Sequence, residues 1–157
     1  MYDDLACNVD NEPYWEFFKL ISSINRQVRR ASEQALKSLS ITWSQFEVLS
    51  QLSLEDNLSQ TELAERLDKD ATNIMVLCDS LEKKGLVNRV KDLEDRRVNR
   101  IVLSANSKTV TIEAYKTLNT LYKSMTANIS QQTLEKFLYE FEKICESLQQ
   151  QSEEGSN

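Results

Sequence analysis

Residues 70–103 read DATNIMVLCDSLEKKGLVNRVKDLEDRRVNRIVL, and this stretch decides the fold. Its first half steps apolar residues at helical spacing: Ile74, Leu77, Cys78 and Leu81 stand at i, i+3, i+4 and i+7. Asp70 supplies a cap at the start, and Gly85 the left-handed residue that a helix stop favours. After Gly85 the period changes. Leu86 to Val90 and Val98 to Leu103 are rich in β-branched residues and flank a polar loop, Lys91 to Arg97. This pattern predicts a β-hairpin with a charged tip.

Upstream, two capping boxes open two more short helices: Thr42 with Gln45, and Ser59 with Glu62. Phe46, Leu49 and Leu52 mark the apolar side of the first, Leu63, Ala64 and Leu67 that of the second. Three capped helices in about forty residues, joined by short connectors, predict a helix-turn-helix. A hairpin directly after the third of them makes it a winged helix.

Longer helices flank this centre. One is predicted from about Glu12 to Leu39, with Phe17, Ile21, Ile24, Val28, Ala31 and Ala35 on one face and a length of roughly 40 Å. After Ser104 the helical pattern returns through Tyr115, Leu118, Tyr122, Met125 and Ile129. It resumes after Ser130, a plausible N-cap, through Leu134, Phe137, Leu138, Phe141, Ile144, Cys145 and Leu148. The winged part is complete without these faces, so a second copy of the chain is their expected cover. The expected architecture is mainly α with a small β-hairpin wing. Residues 1–40 and 105–157 supply dimerisation helices around a winged helix-turn-helix at 41–104, and the polar tail from Gln149 is expected to fray.

Composition agrees. The 157 residues are 40% hydrophobic and 28% charged, with only 2 Gly and 1 Pro, which disfavours turn-rich all-β folds. With 0 His, the commonest general base, the usual metal ligand and every serine-type triad are missing. No Gly-rich phosphate loop and no metal-spaced cysteines occur, so no catalytic residue, metal or cofactor is expected. The acidic start carries no apolar signal segment, and no apolar run is long enough to span a bilayer, so a cytoplasmic protein away from membranes is expected. Cys78 and Cys145 fall on apolar faces and read as small buried hydrophobes; Cys7 lies among acidic neighbours that disfavour a thiolate.

Net charge is −6, which taken alone argues against a nucleic-acid partner. Its distribution argues otherwise. Lys83 to Arg100 holds seven basic and three acidic side chains, a net +4 in an otherwise acidic chain. On a projecting wing, Arg96 and Arg97 can reach phosphates or the narrow minor groove, with Asp95 orienting a guanidinium. The third helix has the position of a recognition helix, and its outward face offers Thr72, Asn73, Met75, Val76, Asp79, Ser80 and Lys83. Ser59, Gln60 and Thr61 can supply donors to a phosphate, and Arg89 adds to the basic set. The competing readings are a winged helix kept as a protein-interaction module with little DNA affinity, motivated by the acidic body and the apolar Met75-Val76-Leu77, and an enzyme built on carboxylates, Lys and Tyr.

Four segments together resemble the MarR family of winged-helix transcription regulators: SQTELAERL at 59–67, LEKKGLVNR at 81–89, DLEDRR at 92–97 and VLS at 102–104. The resemblance covers about Thr42 to Ser104 by motif. It implies a homodimer on a pseudo-palindromic operator, DNA binding by the third helix and wing, and release by a small ligand or thiol oxidation. It makes Arg97 the minor-groove residue, oriented by Asp95, with Arg96 near the backbone. The chain departs from the family where Val76 and Ser80 replace frequent arginines, which implies weaker, more salt-sensitive binding. Phe18 stands near the position where peroxide-sensing members carry their thiol. Trp15, Trp43 and Tyr115 are candidate linings for an effector cleft, whose residues are otherwise unknown.

Overall fold

The computed structural model describes residues 13–154, with side chains to residue 151; Cys7 and Glu12 lie outside that range. Helix α1 (Pro13–Leu36) opens on a proline, whose missing N–H costs nothing in a first turn. It tightens into a 3₁₀ turn, Lys37–Leu39, and stops at Ser40 in the left-handed region at φ 56°. The expected continuous helix to Leu39 is therefore shorter by one tightened turn. Only Ser32 and Leu36 of α1 are buried; Phe17 and Ile24 on the expected apolar stripe remain exposed.

The centre follows the sequence closely. Helix α2 (Trp43–Leu54) starts in a complete capping box: Gln45 N donates to Thr42 Oγ1 at 3.2 Å and Thr42 N to Gln45 Oε1 at 3.1 Å. Strand β1 (Leu58–Ser59) leads into helix α3 (Gln60–Leu67), where Ser59 and Glu62 form the second box. A three-residue turn with Asp68 at φ 48° leads to helix α4 (Ala71–Lys83), capped by Asp70 Oδ1 accepting from Asn73 N at 2.8 Å. Gly85, at φ 68°, lets its own N–H reach Glu82 O at 2.9 Å and the Leu86 N–H reach Leu81 O at 3.0 Å. This reciprocal pair satisfies the last carbonyls and aims the chain into strand β2 (Val87–Lys91).

Strand β3 (Asn99–Leu103) returns antiparallel to β2 and also pairs with β1, giving the order β1-β3-β2. The third strand is an addition to the expected hairpin. Ser59 was legible as a helix cap, and a cap residue has extended backbone, here φ −71° and ψ 162°. One residue can thus end a strand and begin a helix. Leu58 pairs with Ile101, and Ser59 with Arg100.

Leu49, Leu63, Ile74, Cys78, Leu81, Val87 and Ile101 are fully or almost fully buried and form the core of the winged part. Helix α5 (Ser107–Met125) adds the buried Ala114 and Leu118, and helix α6 (Gln131–Glu154) follows, with Ser130 Oγ accepting from Thr133 N at 3.2 Å. The chain divides into two compact units, one ending at Asn119 and one beginning at Thr120. No α6 side chain between 131 and 151 is buried. Cys145, expected to be buried like Cys78, is exposed: its helix leaves much of its apolar face open, with Phe137, Leu138 and Leu148 exposed beside it. Among the described residues no helix is long and apolar enough to cross a membrane.

Candidate nucleic-acid interface

Helix α4 buries Ile74, Cys78 and Leu81 and turns the opposite side outward. Thr72, Asn73, Met75, Val76 and Lys83 are exposed, with Met75 at 46% and Val76 at 57%. The outward set offers an amide, a hydroxyl, a cation and two apolar groups, the mixture that reads base edges and thymine methyls. Asp79 and Ser80, expected on the same face, are turned aside. Ser80 Oγ accepts from Gln45 Nε2 at 2.8 Å, and Asp79 pairs with Arg89.

Arg89 is correspondingly committed within the fold. Its two terminal nitrogens donate to Asp79 Oδ1 and Glu82 Oε2, tying β2 to α4 as a forked clamp. Lys84 plays a similar part at the other edge: its Nζ donates to Ser40 O at 2.6 Å and to Gln45 Oε1 at 2.7 Å. Gln45 thus serves its own helix cap and fastens both Ser80 and Lys84 of the α4 end. Gln45 itself is buried, and its bonds to Ser80 and Lys84 are partly so.

The phosphate-donor trio at the start of α3 divides. Ser59 is buried, with its N–H on Glu62 Oε2 at 2.7 Å and its Oγ on the Glu62 N–H. Gln60 Nε2 is buried, with no nitrogen or oxygen partner among the described residues, and its side chain bears on the Cys78 thiol. Thr61 remains exposed. Hydrogen bonds from the Ser59 backbone and hydroxyl hold the Glu62 carboxyl below its usual range, with Arg100 adding to the effect.

At the wing, Arg96 and Arg97 are exposed beside a fully exposed Leu93. Asp95 takes a different part from the expected one: its Oδ1 accepts from the Arg97 backbone N–H at 2.9 Å, and its carbonyl accepts from Val98 N. It shapes the turn that presents Arg97, and among the described residues its hydrogen bonds go to backbone and not to a guanidinium. The carboxylate that does grip a guanidinium is Asp92, which sequence reading passed over. Asp92 Oδ1 accepts from the Glu94 and Asp95 N–H groups at 2.8 and 3.0 Å, and Oδ2 from Arg100 Nε. Backbone bonds from Asp95, then the Arg100 guanidinium, hold the Asp92 carboxyl down at about 2. Arg100 Nη1 continues to Asn57 O at 3.0 Å and lies 3.5 Å from Glu62 Oε2. One guanidinium therefore joins the wing, the β1 approach and the cap of α3. An aspartate followed by free amides two and three residues on is an Asx-turn signal, which was available in Asp92-Leu93-Glu94-Asp95.

A separate cleft of about 530 Å³ is lined by Ser53, Leu103, Lys108, Thr111, Ile112 and Tyr115. Thr111 Oγ1 is buried there without a hydrogen-bond partner among the described residues. Phe46 meets Trp43 at a tilt, with ring centroids 5.7 Å apart, and Tyr115 edge to face at 5.0 Å, while Trp15 lines a different groove along α1. The three candidate aromatics do not converge. The Cys78 thiol is pushed up by burial, so it is held as an inert thiol. No group of His, Cys, Asp and Glu able to hold a metal occurs among the described residues.

The MarR family model matches residues 41–98. Among curated proteins, the HTH-type transcriptional regulator PapX of Escherichia coli is 28% identical over 121 residues, covering 76% of this chain and 74% of PapX. The regulator SarZ of Staphylococcus saprophyticus is 26% identical over 113 residues, 72% of this chain and 69% of its own. Among solved structures, the transcriptional regulator BldR from Sulfolobus solfataricus superposes with a TM-score of 0.75 at 27% identity, over 84% of this chain and 94% of BldR. A mutant MarR from E. coli complexed with operator DNA gives 0.76 at 22% identity, over 85% and 99%.

Proposed function

We propose, from the match of the MarR family model to residues 41–98, that the chain is a MarR-type regulator, a homodimeric repressor or activator that seats α4 in the major groove and its wing in the minor groove. It is a transcription regulator and not an enzyme, as its named relatives are. The observation that carries the reading is the pairing of two outward features on one braced scaffold. The α4 face of Thr72, Asn73, Met75, Val76 and Lys83 is exposed, and so are Arg96 and Arg97 at the wing tip. Arg89 and Arg100, ion-paired inside the fold, hold those two features in place and do not touch DNA. Thr61 is the remaining side-chain donor of the α3 start.

Two copies are required by the apolar faces. Trp15, Phe18, Leu20 and Ile24 of α1 are each at least half exposed, and α6 exposes Phe137, Leu138, Phe141 and Leu148. Such stripes favour a self-complementary partner. A twofold pair would read two half-sites about 10–10.5 bp apart on a pseudo-palindrome, in the cytoplasm. A small effector would enter the Thr111 cleft, whose orphan hydroxyl asks for a hydrogen-bonding ligand with an apolar body; an organohalide-sensing transcriptional regulator in its 2,4-dichlorophenol-bound form has the same fold.

The test is selection of bound fragments from sheared genomic DNA, followed by titration of the enriched duplex. Arg97→Ala is expected to weaken binding by about 1–3 kcal/mol, and Asn73→Ala to relax the preference at one base position. Unchanged affinity of Arg97→Ala removes the wing from the reading. No enrichment at all, with Met75→Ser abolishing capture of a protein partner, would favour the interaction-module alternative.

A further inference from the structure

The outward side of α1 changes character along its length. Through Ile24 it carries exposed aromatic and aliphatic groups; from Arg26 onward it is basic. Arg26, Arg29, Arg30 and Lys37 stand at i, i+3, i+4 and i+11, one stripe on a 3.6-residue helix. On a 3.6-residue helix that stripe borders the face holding the buried Ser32 and Leu36, since Leu36 stands two turns after Arg29. All four cations are exposed, and none has an ion pair among the described residues. The same residues, with Glu33, Gln34 and Ser44, line a groove of about 600 Å³. Four of the five basic side chains in the first 58 residues are gathered here, in a segment whose net charge is −4.

Unpaired like charges at three- and four-residue spacing repel one another and cost a few tenths of a kcal/mol per pair, so stability of the helix does not explain them. The neighbouring acidic chain offers partners that the stripe does not use. Glu33, the one carboxylate in the groove, is turned to the Trp43 N–H at 2.6 Å, inside the start of α2.

We propose that this groove is a second phosphate-binding surface, which holds the backbone of the duplex outside the segment read by α4 and the wing. The inference rests on the DNA-binding reading above. Two observations tie the groove to that surface. Ser44, in the first turn of α2, lines it. The α1–α2 junction is itself bonded to the end of α4 through Lys84 on Ser40 O and Gln45. Lys83, next in sequence to Lys84, is exposed at the end of the recognition helix. Arg26 to Lys37 spans about 16 Å of helix axis, long enough to meet two or three successive phosphates of one strand. The stripe also supplies the positive charge that Val76 and Ser80 leave out of α4.

The experiment measures binding of the full chain to a 40-bp mixed-sequence duplex over a range of KCl concentrations. Wild type, an Arg29→Gln/Arg30→Gln/Lys37→Gln triple variant, an Arg29→Lys/Arg30→Lys control and Arg97→Ala are compared. Each phosphate contact contributes roughly 0.9 to the slope of log affinity on log salt. The glutamine triple is expected to lower that slope by about two or more per bound chain, with the lysine control near wild type. A wild-type slope in the triple overturns this inference alone, while Arg97→Ala still reports on the wing. Failure of the wild type to bind at any salt concentration overturns the regulator reading and this one with it. Circular dichroism of the triple checks that α1 is intact, as three exposed substitutions by a good helix former should leave it.

Discussion

Asp92 shows how one carboxylate can set the shape of a wing. It accepts two backbone N–H groups and the Arg100 guanidinium, and its carboxyl is depressed from 3.8 to about 2. A group whose folded-state pKa lies below its free value stabilises the fold above the free value and ceases to do so as pH falls through the folded one. The wing brace is therefore complete above pH 4 and is lost on descent toward pH 2. In an NMR titration the Glu94 and Asp95 amides are expected to shift with a midpoint near 2, and in Asp92→Asn that transition is expected to vanish. Amide shifts of wild type that titrate near 4 would refute the brace. Asp92→Asn should also weaken DNA binding while Arg96 and Arg97 remain in the chain. Asp95 needs a different test, because it supports the Arg97 backbone and not the guanidinium.

At the scale of elements, Gln45 joins the cap of α2 to the end of α4. Removing the Thr42 hydroxyl takes one cap bond from α2, and Thr42→Ala is expected to cost about 1 kcal/mol in urea unfolding. Gln45→Ala strips the reciprocal cap bond, the Ser80 contact and the Lys84 contact, and is expected to cost about 2–3 kcal/mol. Equal costs for the two would mean the long-range bonds contribute nothing. The same element shows what a sequence can disclose. Capping boxes at Thr42 and Ser59, the Asp70 cap and the Gly85 stop are local, because each is a side chain or a φ angle acting on backbone three residues away. They were legible, and with them the helix-turn-helix. Strand β1 was not: two residues carry no period, and its partner lies forty residues on in β3. Arg89 and Arg100 were legible as charge but not as clamps, since their partners are fixed only when α4, β2 and the Asn57 turn meet. Asp79 and Ser80 likewise sat on the outward side of a helical wheel until Arg89 and Gln45 engaged them.

For the whole molecule, the unit ending at Asn119 has a core of its own, whereas α6 exposes its apolar side chains throughout. If a second copy covers these faces, as proposed, the chain should gain stability by mass action. Its thermal midpoint is expected to rise with protein concentration across a hundredfold range, and sedimentation is expected to give a dimer. A Phe137→Glu/Phe141→Glu variant is expected to sediment as a monomer and to lose the concentration dependence, with the Leu63–Ile74–Ile101 core still folded by tryptophan fluorescence. A midpoint independent of concentration in wild type would set the dimer aside. The proposed dimer and the proposed phosphate groove would divide α1 between two tasks, pairing through its apolar first turns and meeting phosphate through its basic last ones.

The Asp92–Arg100 brace has a consequence for the kind of signal such a protein can receive. Its carboxylate and guanidinium both keep their charge from mildly acidic to strongly alkaline solution, and the chain contains no imidazole to respond in between. Cellular acidification near neutrality thus has no lever on the wing's shape through this pair.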